Sequence, residues 1–78
     1  MKTIHDCRYR QLVARMIAAR ELHHLTQSEL AIALGRPQSY IAKVENFDRR
    51  LDIIELFDWL RAIDVSPNLF LSESDWWS

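Results

Sequence analysis

The sequence predicts an all-α fold of five short helices, and three observations carry that expectation. Only one Gly and two Pro occur in 78 residues, too few turn formers for a sheet protein built on tight hairpins. Ala, Leu, Arg and Glu, all good helix formers, are abundant. Apolar residues recur at steps of three and four, the spacing of one helical face.

The first helix is expected over residues 7–23, with Tyr9, Leu12, Val13, Met16, Ile17 and Arg20 on one face. Asp6 precedes it as N-cap, its carboxylate set against free N–H groups and the positive end of the helix. Thr26-Gln27-Ser28-Glu29 is a capping box, in which Thr26 accepts from the Glu29 amide and Glu29 reaches back to the Thr26 amide. The second helix carries Leu30, Ala31, Ala33 and Leu34 and stops at Gly35, where positive φ is easily reached. Pro37 pre-sets φ for a third helix over about Gln38–Asn46, carrying Tyr40, Ile41 and Val44. Asp52 and Glu55 form a second box-like start. The fourth helix is expected to bury Ile53, Leu56, Phe57, Leu60 and Ile63. Ser66 and Pro67 open a last short helix with Leu69, Phe70 and Leu71. One domain is expected over residues 1–78, with a core over about 7–71 and an acidic, Trp-containing tail over 72–78.

Composition excludes several function classes. No apolar run approaches the roughly 20 residues that cross a bilayer, and the N-terminus has no secretory h-region. A single cysteine, Cys7, cannot form an internal disulfide, so a cytoplasmic location is expected. No Gly-rich phosphate loop and no Ser/His/Asp arrangement is evident, and an enzyme is not expected. His5, His23 and His24 lack companions at ligand spacing, so no metal and no other cofactor is expected. Cys7 reads as a plain thiol. The net charge is −1, but its distribution is uneven. Residues 1–50 hold nine Lys and Arg against five Asp and Glu, and residues 51–78 hold one against six. A basic half and an acidic half can give one face one sign, although ordinary solvated surface explains the same charges.

Two short helices joined by a few residues, one of them Gly, make a helix-turn-helix unit. Ala31 stands where the third helix passes close, Gly35 makes the turn, and Leu30, Leu34, Ile41 and Val44 face inward. Leu25-Thr26-Gln27-Ser28-Glu29-Leu30-Ala31, Leu34-Gly35-Arg36-Pro37-Gln38-Ser39-Tyr40-Ile41 and Lys43-Val44-Glu45-Asn46 together resemble the Cro/phage-repressor (XRE-like) helix-turn-helix family. The resemblance covers about residues 9–71. It implies a compact, five-helix repressor-like domain whose third helix enters the major groove of double-stranded DNA, as a homodimer on a partly palindromic operator.

Position by position, the resemblance makes Gln38 and Ser39 base-reading residues, with Lys43 one turn further on the same face. A Gln amide can pair bidentately with adenine. Gln27 corresponds to a phosphate-binding residue at the start of the second helix. Tyr40 is read as a phosphate ligand through its hydroxyl, and Asn46, Arg49 and Arg50 fall where the family contacts the flanking backbone. Arg36 joins the phosphate set, although for Arg36, Arg49 and Arg50 plain solubility is an equally simple reading. Phe47 stands where the family usually has Gly, which implies a longer or differently turned end to the third helix.

Arg20 and Glu45 each sit on an otherwise apolar stripe. A buried charge without a partner is costly, so the two are expected to pair as a structural bridge between the first and third helices. Ile54 and Trp59 fall roughly 100° or more from the centre of the expected fourth-helix stripe. With Leu69, Phe70, Leu71, Trp76 and Trp77 they form an unaccounted apolar set, read as a homodimer interface. The function expected is a sequence-specific DNA-binding transcriptional regulator, a repressor. The alternative is a protein-interaction module of the same fold, antitoxin-like or a complex subunit, whose partner binds the C-terminal end.

Overall fold

The computed structural model describes residues 6–72. Among them the chain forms five helices and no strand: α1 (Cys7–Leu22), α2 (Gln27–Leu34), α3 (Gln38–Glu45), α4 (Ile53–Ala62) and α5 (Pro67–Ser72). His5, Trp76 and Trp77 lie outside the described residues. No helix among the described residues is long and apolar enough to cross a membrane.

Each of three helix starts is closed by the side chain that its local sequence supplies. The Asp6 carboxylate accepts from the Arg8 amide at 2.8 Å. Thr26 and Glu29 exchange bonds of 3.1 and 2.9 Å at α2, and Asp52 and Glu55 bonds of 2.8 and 3.0 Å at α4. These satisfy N–H groups that a helix leaves without partners. α3 starts instead on Pro37, with φ at −65° and no side-chain cap.

Four helix ends share one backbone device. His24, Gly35, Phe47 and Asp64 all adopt positive φ, between 59° and 66°. In each case the left-handed residue and the next one donate back into the last turn. His24 and Leu25 bond to Glu21 and Arg20, and Gly35 and Arg36 to Ile32 and Ala31. Phe47 and Asp48 bond to Val44 and Lys43, and Asp64 and Val65 to Arg61 and Leu60. This is the Schellman closure, which favours Gly because a Cβ costs about 1–2 kcal/mol in the left-handed region. Only one of the four sites has Gly. At Gly35 an added Cβ would meet nothing within 4 Å, so conformation rather than space selects that residue.

The third helix is therefore not prolonged by Phe47. It ends at Glu45, and Phe47 takes the conformation usual for Gly. Its half-buried ring is held under the Arg10 guanidinium, 4.4 Å from the ring centre. His24, by contrast, is exposed. His24→Gly is expected to raise the Tm by about 2–4 °C. The relieved strain exceeds the extra entropy of an unfolded Gly by about 0.5 kcal/mol. Phe47→Gly is expected to lower it, because the ring contact goes too. Thermal melts of the two variants beside the parent check both signs.

The core gathers Val13 and Met16 of α1, Leu30 and Ala31 of α2, Tyr40, Ile41 and Val44 of α3, Leu56, Trp59 and Leu60 of α4, Ile63, and Phe70 of α5. The buried stripe of α4 thus differs from the expected one. Trp59 is 0% exposed, whereas Ile53 is 56% and Phe57 38% exposed. Leu56, Trp59, Leu60 and Ile63 are spaced i, i+3, i+4 and i+7, a full helical stripe by themselves. Ile53 and Phe57 flank it. Trp59 is consequently a core residue and not part of an apolar surface. Phe70 is buried as well, with the Arg15 guanidinium 4.6 Å from its ring centre. Neither can offer its ring to a second subunit.

A candidate nucleic-acid interface on the third helix

α2 and α3 meet across the Gly35 turn, and Ala31, Ile41 and Val44 are buried where they pack on the core. That packing turns the opposite side of α3 outward. Gln38, Ser39 and Lys43 are all exposed on it. A rod of this kind, anchored behind and polar in front, has the shape that enters a major groove.

The exposed front is tied to the core by one chain of hydrogen bonds. Ser28 donates to Gln38 Oε1 at 3.3 Å, and Gln38 Nε2 donates to Gln27 Oε1 at 3.4 Å. Gln27 Nε2 donates to Glu45 Oε1 at 2.9 Å. Glu45 in turn accepts a fork from Arg20, with Nε at 2.7 Å from Oε2 and Nη2 at 3.1 Å from Oε1. Arg20 Nη1 closes the chain on the Leu25 carbonyl. Arg20 and Glu45 are both 8% exposed. The structure therefore brings them together as a buried, fully bonded pair joining α1 to α3. Gln27 Nε2 carries a second N–H beyond the one given to Glu45, at the start of α2.

A second polar cluster lies beside the first, where the helix-turn-helix meets α4. Glu55 accepts a fork from Arg49, with bonds of 3.0 and 2.9 Å, and Arg36 Nη2 approaches the same carboxylate at 3.6 Å. The Arg36 and Arg49 guanidiniums lie 4.6 and 4.8 Å from the centre of the Tyr40 ring. Hydrogen bonds from Arg49 hold the Glu55 carboxyl below the usual range, against the opposing effect of burial. Burial, with the adjacent Glu55 charge, pushes the Tyr40 phenol upward. In the same way the Thr26 amide holds Glu29 below its ordinary value.

The expected site residues thus divide. Gln38, Ser39, Lys43 and Asn46 are exposed, and so is Arg50 beside the cluster. Gln27 and Arg49 are partly buried in the two networks. Tyr40 has its ring buried against Trp59, with centroids 6.1 Å apart, and the Glu55 carboxylate beside its hydroxyl. Of the apolar set, Ile54 and Leu69 are 62% and 63% exposed. Leu71 is half-buried against the core. Reasoning from sequence missed the role of Glu55 toward the arginines. Its place in a capping box is visible locally, but nothing local says that Arg49, six residues earlier, folds back onto it.

An exposed polar helix set on a helix-turn-helix frame defines a DNA-binding domain. A family model for helix-turn-helix proteins, HTH_3, matches residues 16–70. Among solved structures, an XRE-family like protein from Pseudomonas syringae pv. tomato str. DC3000 is 49% identical, covering 92% of this chain and 88% of its own, with a TM-score of 0.85. A mutant of the restriction-modification controller protein C.Esp1396I shares the fold, with a TM-score of 0.71 at 19% identity over 94% of this chain and 86% of its own. No curated protein matches. The chain belongs to the XRE-type helix-turn-helix family of DNA-binding transcription regulators.

Proposed function

We propose that the protein is a homodimeric repressor that reads a partly palindromic operator with α3. The observation that carries this is the outward placement of Gln38, Ser39 and Lys43 on a helix whose back, Ile41 and Val44, is fully buried. Gln38 and Ser39 read base edges in each half-site, and Lys43 reads a guanine or holds a phosphate one turn further on. Gln27, Arg36, Asn46, Arg49 and Arg50 bind phosphates and set the register. The apolar face of Ile54, Phe57, Leu69 and the partly buried Leu71 joins two copies, at the acidic end of the chain and away from the groove.

Selection from a random duplex pool tests the reading. The expected result is a two-fold symmetric motif with half-sites one DNA turn apart, roughly 34 Å. Affinity should fall with salt at a log–log slope of about −0.9 per phosphate neutralised. Gln38→Ala should relax preference at one base pair. Lys43→Ala does the same if it reads a base, and weakens all sequences alike if it holds a phosphate. Salt-independent binding, or no enrichment from the pool, removes the DNA role. Capture of another protein by the C-terminal end, with no duplex bound, would make the chain an interaction module.

A further inference from the structure

The cluster around Glu55 is built more closely than a surface ion pair needs. Arg36 comes from the turn between α2 and α3, and Arg49 from the connection between α3 and α4. Both converge on one carboxylate oxygen, Glu55 Oε2, at 3.6 and 2.9 Å. Both lie over one ring, Tyr40, which is itself fixed against Trp59. Glu55 is pinned from the other side by the Asp52 amide at 3.0 Å, and its side chain is only 13% exposed. The two arginine side chains remain 46% and 39% exposed. Arg49 spends Nη1 and Nη2 on Glu55 and Nη1 on the Arg50 carbonyl. Its Nε–H edge meets no acceptor among the described residues.

Two guanidiniums on one carboxylate oxygen repel each other, and a free arginine has much rotamer freedom to lose on binding. A single half-buried carboxylate shared by both offsets the repulsion and leaves one net positive charge on the cluster. We propose that Glu55 is a positioning residue for DNA: it holds Arg36 and Arg49 together against Tyr40 as a ready-made clamp for one backbone phosphate. This deepens the DNA-binding reading above and rests on it. Counting charges alone predicts the opposite, that an acidic group beside a phosphate weakens binding. The geometry decides between the two. Glu55 is held at the start of α4 by the Asp52 amide and pairs with both arginines, so its charge is largely spent on them. Without it, each arginine must be ordered at the moment of binding, which costs side-chain entropy.

Glu55→Gln isolates this role. Gln serves at N3 of a capping box as Glu does, so the start of α4 persists, which helicity by circular dichroism checks. The readout is binding of the parent and the variant to a random-sequence duplex pool across a salt series. Although the variant is more positive by one charge, its binding is expected to weaken about tenfold, equivalent to 1.4 kcal/mol. Its log–log salt slope should stay close to the parent's, because both arginines still neutralise the phosphate and only the cost of ordering them changes. Arg49→Ala alone should reduce that slope by about 0.9, one phosphate, and adding Glu55→Gln to it should weaken binding little further. Equal or tighter binding by Glu55→Gln overturns the proposal while leaving the DNA reading intact, as does strict additivity with Arg49→Ala. Failure of the parent to bind any duplex overturns both.

Discussion

Glu45→Ala is expected to cost about 3–5 kcal/mol of folding stability, the effect of breaking a buried ion pair from one side. The loss arises less from the missing attraction than from what is left behind. Arg20 stays 8% exposed with its charge, keeping only the Leu25 carbonyl. Gln27 loses its acceptor at 2.9 Å as well. For a domain of this size each kcal/mol moves the Tm by about 4–8 °C, so a melt followed by circular dichroism should fall by about 12 °C or more. Removing both charges should cost less than removing one. Arg20→Met with Glu45→Met fills similar volume and leaves no orphaned charge, and buried pairs replaced in this way are often neutral. A single variant no worse than the double would mean that the pair is solvated, not buried. The double variant has a second use. Gln38 reaches the pair only through Gln27. A well-folded Met–Met protein with weakened base preference would therefore show that the bridge orients the reading face of α3.

That pair was legible because its members violate the local pattern. A charge on an apolar stripe has few cheap solutions, and two such charges, on α1 and α3, suggest each other. The capping boxes were legible for the opposite reason: Thr26 with Glu29, and Asp52 with Glu55, are complete within four residues. What lay hidden depends on choices made elsewhere in the fold. His24, Phe47 and Asp64 end helices in a conformation that sequence assigns to Gly, held there by the backbone bonds of the closing turn. The α4 stripe was misplaced because Ile53 and Phe57 are as apolar as the residues that are buried. Including both draws the centre of the stripe roughly 45° round the helix at 100° per residue, which puts Trp59 outside it. The burial of the Tyr40 ring was hidden in the same way: its position in the motif points outward, but the ring packs inward beside Trp59. Whether Ile54 and Leu69 meet a second subunit is a matter of association, which a helical period does not encode.

Trp59 is the second position at which a single change should be severe. Its side chain is the largest that is fully buried among the described residues, and Tyr40 of α3 packs on it. Trp59→Ala should cost about 3–5 kcal/mol, a large share of the 5–15 kcal/mol typical of a folded domain. Duplex binding should fall with the folded fraction. Trp59→Phe should behave differently. The indole Nε1 is buried with no hydrogen-bond partner among the described residues, and an unmade bond of that kind costs about 1–3 kcal/mol. Phe removes the unsatisfied donor while keeping one ring against Tyr40. The regained term offsets part of the smaller cavity penalty, and a net loss below about 2 kcal/mol is expected. Sedimentation of the folded Trp59→Phe protein then separates a core role from an interface role. A residue sealed within one subunit cannot alter association, so the oligomeric state should match the parent, whereas Leu69→Asp, on the exposed face, should shift it toward monomer. A Trp59→Phe protein that melts like the parent but dissociates would return the indole to the interface.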